Sequence, residues 1–242
     1  MSISKNQLKL ITSLQQKKYR TKFSLFIAEG TKVVDEFLNS KFELEHLFYV
    51  KKFGYERLNN VTQISEIELK KISTLKTPNN VLALFKIPSE KQIINKGIIL
   101  ALDEINDPGN LGAIIRLCDW FGVDQLICSN NTVDCYNTKV VQASMGSLTR
   151  ISIIYTDLLT YLQNSALPKY ATLMNGENVY KCVLPKQAVL VMGNEANGIS
   201  GTILNELDKT ISIPRFGNFQ QTESLNVATA TAILLSEFKR LT

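Results

Sequence analysis

Gly97-Ile-Ile-Leu-Ala-Leu-Asp103 is followed within three residues by Asn106-Asp-Pro-Gly-Asn-Leu-Gly112. The first stretch is an unbroken apolar run. That pattern belongs to a strand covered on both faces, because a strand with one wet face alternates apolar and polar residues. The second stretch carries Pro, Gly and Asn and predicts a loop leading into a helix over residues 113–121. The same order recurs downstream. Strands are predicted at 125–128, 151–155, 170–174, 188–192 and 211–213, and helices at 138–147 and 157–163. A last helix, rich in small residues, follows Ser224, with Leu225, Ala228, Ala232 and Leu235 at the spacing of a buried stripe. Strands buried on both sides and alternating with helices predict an open, mostly parallel α/β sheet.

Upstream, the pattern is shorter and mixed. Ser4-Lys-Asn-Gln7 has the form of a capping box, with Leu8, Ile11 and Leu14 following at helical spacing. Strands are predicted at 23–28, 44–50 and 81–87, and a helix at 31–38. Ser65-Glu-Ile-Glu68 opens a further helix that Thr77-Pro-Asn-Asn80 breaks. Pro88-Ser-Glu-Lys-Gln92 is polar and proline-led, the best linker in the chain. At 242 residues the chain has room for two cores, and the division predicted is a small α/β unit over 1–90 and a larger one over 96–242.

Charge divides at the same place. Residues 1–96 hold 17 Lys and Arg against 9 Asp and Glu, whereas residues 97–242 hold 10 against 13. The first 22 residues carry six cations and no acid. A basic unit joined to a mildly acidic one predicts an arm for a polyanion and a body for chemistry. Within that arm, Gln16-Lys-Lys-Tyr-Arg-Thr-Lys22 interleaves cations with an aromatic ring. Such a cluster can neutralise phosphates while the ring stacks on a base; it can equally be a solvated helix end whose cations complement the dipole. No apolar run approaches a membrane span, and the first residues lack a signal-peptide core. Cys118, Cys128, Cys135 and Cys182 show no CxxC spacing, so reduced thiols in a cytoplasmic protein are expected. The single histidine, His46, lies in a predicted strand, which argues against His-based catalysis and against a metal site.

Three predicted strand ends follow the same pattern, in which an apolar strand gives way to a loop with Gly and Asn and then to a helix. They span residues 106–112, 193–198 and 214–226. In open α/β sheets ligands bind beyond the carboxyl ends of strands, and glycines allow close main-chain approach. No loop reads GxGxxG or as a Walker loop, so a nicotinamide enzyme or an NTPase has no support. Polar residues beside the loops are Asn110, Arg116, Glu195, Ser224 and Asn226. Arg116 interrupts an apolar helix one turn after Gly112 and either points back to the pocket mouth or lies on the surface; Glu195 is either a site carboxylate or a loop charge. Thr222, Ser224 and Asn226 crowd one helix start, where a single cap would suffice. Capping and a ligand site both remain open on these residues alone.

Asn106-Asp-Pro-Gly-Asn-Leu-Gly-Ala-Ile-Ile-Arg-Leu-Cys-Asp-Trp-Phe-Gly122, Val191-Met-Gly-Asn-Glu-Ala-Asn-Gly-Ile199 and Ile213-Pro214 through Ser224-Leu-Asn-Val227 resemble the three ordered motifs of the SpoU (TrmH) family. These are RNA ribose 2′-O-methyltransferases of the SPOUT superfamily. Val141-Gln-Ala-Ser-Met-Gly-Ser-Leu-Thr-Arg150 is similar to the family's segment between motifs one and two. Lys22-Phe-Ser-Leu-Phe-Ile-Ala-Glu-Gly30 is similar to its L30e-like substrate-binding domain. The resemblance implies a deep trefoil knot in the C-terminal domain, a homodimer, and S-adenosylmethionine bound within the knot. By position it implies cofactor contacts at Met174, Gly193, Asn194, Ile213, Pro214 and Leu225. It implies a catalytic set of Arg116, Asn110, Glu195, Ser224 and Asn226. RNA contacts would fall at Lys17, Lys18, Arg20, Lys22 and Arg150, and no metal is implied.

The implied reaction methylates a ribose 2′-hydroxyl in structured RNA, with rRNA favoured over tRNA by the accessory domain. Positioning and help in deprotonation would dominate such a transfer. Arg116 would be either a phosphate and oxyanion stabiliser or, less comfortably for a group always charged, a general base. Two features depart from the family pattern. Arg116-Leu-Cys-Asp-Trp120 replaces a run of small residues, which points to a helix repacked around Trp120. Arg215-Phe216 stands where many members have a methionine, and its cation either meets substrate phosphate or faces solvent. The rival expectation is an RNA-binding ribosome-assembly factor that keeps the fold without the activity.

Overall fold

The computed structural model describes residues 3–52, 54–89, 92–123, 125–218 and 224–240. It comprises two compact units, one of residues 1–89 with 134–149, the other of residues 90–133 with 150–242.

The first unit starts with α1 (Lys5–Ser13) and α2 (Lys17–Phe23), followed by β1 (Leu25–Glu29), α3 (Thr31–Leu38), β2 (Leu44–Tyr49), β3 (Val61–Gln63), α4 (Glu66–Ile72) and β4 (Val81–Lys86). Both expected capping boxes form. Ser4 accepts from the Gln7 amide and Ser65 from the Glu68 amide, each with the reciprocal side-chain bond. The strands make one sheet in the order β1-β4-β2-β3, in which β4 runs antiparallel to β1 and β2 while β2 and β3 are parallel. Ile11 and Leu14 pack with Ile27, Phe48, Leu69, Ile72 and Leu82 in one core cluster. Phe23 ends α2 instead of opening a strand, because Ser24 takes a left-handed conformation (φ 51°) and turns the chain. The three-residue β3 was not foreseen; Val61-Thr-Gln63 is too short to show a period.

The second unit holds β5 (Ile98–Leu102), α5 (Pro108–Phe121) and β6 (Gln125–Ser129). The chain then visits the first unit, where α6 (Thr138–Ser144) packs on β1. It returns as β7 (Ser152–Thr156), α7 (Leu158–Asn164), β8 (Lys169–Asn178), β9 (Ala188–Met192), α8 (Gly201–Leu204), β10 (Lys209–Ser212) and α9 (Val227–Lys239). Six parallel strands lie in the order β10-β8-β9-β5-β6-β7. All five residues of β5, β6 and β9 are buried, as expected of strands covered on both faces. Ile99, Ala101, Val189 and Val191 meet Leu158, Leu162 and Ile203 in the core.

The order of strands makes the site. From β5 the chain steps to β6 and β7, then crosses back so that β9 lies on the other side of β5. Such a reversal opens a crevice at the carboxyl ends of the strands that flank it. The ends of β10, β8, β9 and β5 are neighbours on that edge, and the three motif segments follow three of them.

Candidate functional site

The first motif segment is largely helical. Asp107 caps α5 by accepting from the Asn110 amide at 2.8 Å, and Pro108 occupies the first turn, where its missing N–H costs nothing. The expected loop over 106–112 is therefore half helix, and Asn110 sits in a fixed first turn. Asp-Pro was the signal for it.

The second segment is a tight reversal. Asn194 and Gly198 exchange both main-chain hydrogen bonds at 2.9 Å, and the Asn194 carbonyl Oδ1 accepts from the amides of Ala196 and Asn197. Asn194 Nδ2 donates to the Glu104 carbonyl at 2.7 Å, tying this loop to the end of β5. Every polar group of Asn194 is thus engaged in building the loop, which places it as a loop former rather than a side-chain ligand. A Cβ on Gly193 would lie 2.2 Å from the Gly198 carbonyl carbon, so only glycine fits there.

The third segment brings Asn226 to the start of α9. Its Oδ1 accepts from the amides of Ala228 and Thr229, which turns its Nδ2 outward. Nδ2 donates to Asn110 Oδ1 at 2.9 Å, and Asn110 Nδ2 donates to Glu195 Oε1 at 2.8 Å. The direction is determined at both ends. A helix N-terminus needs an acceptor and a carboxylate needs a donor, so neither amide can be flipped. Three segments separated by 85 and 116 positions along the chain are joined in one polar relay.

Arg116 and Ser224 stand outside it. Both are exposed, and neither side chain makes a hydrogen bond or ion pair among the described residues. Six residues along a helix of ~100° per residue puts Arg116 about 120° round from Asn110, so the two cannot share a face. Trp120, one turn beyond Arg116, is 83% exposed; it does not repack the helix, as its place in the sequence had suggested. The buried Cys118 thiol is pushed up by desolvation, which excludes it as a nucleophile. Thr222 lies outside the described residues.

The remaining cofactor candidates gather on the same edge. Met174 is 64% and Leu225 48% exposed, while Ile213 and Pro214 are half-buried. Residues 213–217 belong to neither strand nor helix, so their main-chain groups lie outside the ladder. Leu225 precedes α9 and does not join its stripe, which is built from Val227, Ala228, Thr231, Leu234, Leu235 and Phe238. β8 continues past Met174 to Asn178, and at Gly176 it runs so close to Ile211 that a Cβ would lie 2.6 Å from that main chain. Two residues that sequence reasoning missed brace this edge. Asp103, 4% exposed, accepts from the Ser200 amide at 2.8 Å. Glu104, at φ 58°, receives the Asn194 amide and donates its own N–H to Ser129 Oγ. An acid directly after a buried strand was the available signal.

Of the expected RNA contacts, Lys17, Lys18 and Lys22 are exposed on α2. Tyr19 and Phe23 stack there with centroids 6.4 Å apart, and the Lys18 ammonium lies 4.8 Å from the Tyr19 centroid. Arg20 is a correction. It is 2% exposed, bonds Asp134 through Nε and Nη2, and donates from Nη1 to the carbonyls of Leu14 and Gln15. A guanidinium so consumed cannot reach a phosphate. Arg150 is exposed, with Nε held to Asp119 at 2.9 Å. No cluster of metal-ligating side chains occurs among the described residues.

Residues 97–236 match the SpoU rRNA Methylase family, and residues 5–83 match an MRM3-like substrate binding domain. The chain is 31% identical over 241 residues to the 23S rRNA (guanosine(2553)-2′-O)-methyltransferase RlmP of Bacillus subtilis, covering 96% of each protein. It superposes on a TrmH-family structure from Porphyromonas gingivalis with a TM-score of 0.89, at 34% identity and 99% coverage of both chains. An AdoMet-bound rRNA methyltransferase from Sinorhizobium meliloti gives a TM-score of 0.87 at 28% identity, covering 100% of this chain and 98% of that one.

Proposed function

The chain belongs to the SpoU rRNA methylase family, and on that premise we propose that it transfers a methyl group from S-adenosylmethionine to a ribose 2′-hydroxyl of rRNA. The strand-end edge suits that cofactor. Met174, Gly193, Ile213, Pro214 and Leu225 carry no charge, and glycine at 193 lets the reversal close tightly on the Gly198 and Ile199 main chain. Aliphatic groups match the faces of adenine, and main-chain groups outside the ladder match its polar rim. When bound, the cofactor supplies an electrophilic methyl group on a sulfonium.

The chain's own residues supply position and charge. The Asn226–Asn110–Glu195 relay locks the three segments that surround the acceptor ribose, so little is reorganised during transfer. Arg116 grips the phosphate beside the target nucleotide and stabilises the oxyanion that develops on the 2′-oxygen. A guanidinium stays charged at neutral pH, which makes it a poor proton acceptor and a good anion holder. The proton released from the hydroxyl passes to a substrate phosphate oxygen or to water. Ser224 closes the pocket beside Asn226.

The observation that carries this reading is the relay itself, with a solvent-facing Arg116 on the same helix. Replacing Arg116 by Ala tests it. Methyl transfer to rRNA should fall about 10²- to 10³-fold, the cost of one lost oxyanion donor, while cofactor affinity stays within a factor of two. Loss of cofactor binding with normal residual turnover would overturn the assignment. Wild-type protein that methylates no RNA would favour an RNA-binding assembly factor instead.

Finer parts of the reading follow. Residues 1–90 present rRNA through Lys17, Lys18, Lys22 and the Tyr19–Phe23 stack, and residues 96–242 carry out the transfer; Arg150 adds a contact from the second unit. The chain forms a trefoil knot, a reading supported by β10 lying beside β8 and by α9 returning onto α5. It acts as a homodimer. A cytoplasmic setting fits four cysteines that remain thiols and the lack of any described helix long and apolar enough to cross a membrane.

A further inference from the structure

We infer that Tyr180 and Phe216 form a stacking platform for a nucleobase of the RNA substrate, beside the cofactor edge, with Arg215 on the adjoining phosphate; this rests on the methyltransferase reading above. Tyr180 lies in the short 3-10 turn Val179–Lys181 after β8, and Phe216 in the segment after β10. The fold brings the rings to a centroid separation of 6.4 Å with planes 31° apart. Both stay in water, Phe216 at 79% exposure and Tyr180 at 42%. A lone exposed ring is ordinary. Two rings in contact, contributed by different strand ends, make a surface.

Charge and position select the occupant. Lys181 directly follows Tyr180 and Arg215 directly precedes Phe216, in a half of the chain that holds more acids than bases; the flanking acids are Glu177 on β8 and Asp208 before β10. Arg215 Nη2 lies 3.2 Å from Met174 Sδ, which ties the platform to the proposed cofactor edge. A two-fold contact centred on this surface would set Lys181 and Arg215 of one copy against the same two cations of the other. RNA meets cations and aromatic faces together, and every base has a π-face to stack. Stacking the target base or its neighbour also immobilises the ribose, which an in-line transfer requires.

The test compares Phe216→Leu, Tyr180→Leu and Phe216→Trp with wild type, using unmodified 23S rRNA transcribed in vitro. KM for RNA, kcat, cofactor affinity by calorimetry and oligomeric mass by light scattering are read for each. Both Leu variants should raise KM for RNA roughly five- to 150-fold, the span of base–aromatic stacking, with cofactor affinity and mass unchanged. Phe216→Trp should restore KM, which an aliphatic packing role would not require. A KM within twofold of wild type, lost cofactor affinity, or a changed oligomeric mass would each overturn the platform. If wild type transfers no methyl group, the methyltransferase reading fails, and filter binding of the same variants to the same RNA then decides the platform alone.

Discussion

Replacing Arg20 by Met discriminates between a cation that binds RNA and one that holds the fold. The side chain is 3% exposed and meets Asp134, 13% exposed, at 2.6 Å. Its other nitrogen donates to two carbonyls that close α1, at 2.8 and 3.0 Å. Breaking a buried ion pair from one side costs about 3–5 kcal/mol, mostly for the charge left behind. Asp134 also accepts from the Tyr136 amide and retains some access to water, which places the expected loss near the lower end, about 3 kcal/mol. That is a large share of a domain's stability. The only tryptophan, Trp120, lies in the second unit and will not report it. Amide hydrogen exchange in β1 and α6 will. A loss of about 3 kcal/mol corresponds to exchange roughly 150-fold faster at those amides. Arg20→Met combined with Asp134→Leu should recover much of the loss, since replacing both partners of a buried pair by apolar groups is often neutral. In that double variant the salt dependence of RNA binding should match wild type, whereas Lys18→Met should lower the slope by about 0.7–0.9, the share of one phosphate contact. Exchange accelerated less than about fivefold, or a slope in the double variant lowered as for Lys18→Met, would refute the structural role.

Two further perturbations probe the relay and the first unit. Asn110→Asp sets a carboxylate against Glu195 and removes its donor; with Glu195 exposed, the penalty should be about 1–2 kcal/mol. Like charge raises the pKa of one carboxyl, so the penalty is present at neutral pH and fades as pH falls and that group protonates. Urea unfolding followed by Trp120 fluorescence checks this, and a penalty equal at pH 5 and pH 8 would count against the relay. Desolvation pushes the His46 imidazole below its usual 6.5, with Glu45 opposing. The folded unit therefore binds that proton less readily than the unfolded chain, and its contribution is present above 6.5 and lost as pH drops through the lowered value. His46→Gln should flatten the decline in exchange protection of β2 below pH 6.5, and an unchanged decline would rule it out.

Features settled over three or four residues were legible in the chain. Ser4 with Gln7 and Ser65 with Glu68 make capping boxes wherever the next turn is helical, and the apolar runs of β5, β6 and β9 cannot be left in water. The strand assignments of the second unit and its parallel sheet follow from those runs. The three strand-end turns were legible too, because glycine and asparagine mark where the main chain reverses. Two boundaries were misread there: at Pro108, where a capping Asp and a Pro imitate a loop, and at Leu225, which precedes α9 instead of joining its stripe.

The destination of each polar group was not legible. Asn226 reads as a helix cap, and it is one; its second bond depends on Asn110, 116 positions away. Arg20 belongs by composition to a phosphate-binding cluster, yet its partner Asp134 arrives 114 positions later on a segment that leaves the second unit to pack with the first. Local sequence sets which groups need a partner, because caps, turns and apolar periods act within a turn or two. Which partner each one finds depends on the order in which strands lie side by side. The relay among Asn226, Asn110 and Glu195 exists because β9 sits next to β5, with the segment after β10 returning to the same edge.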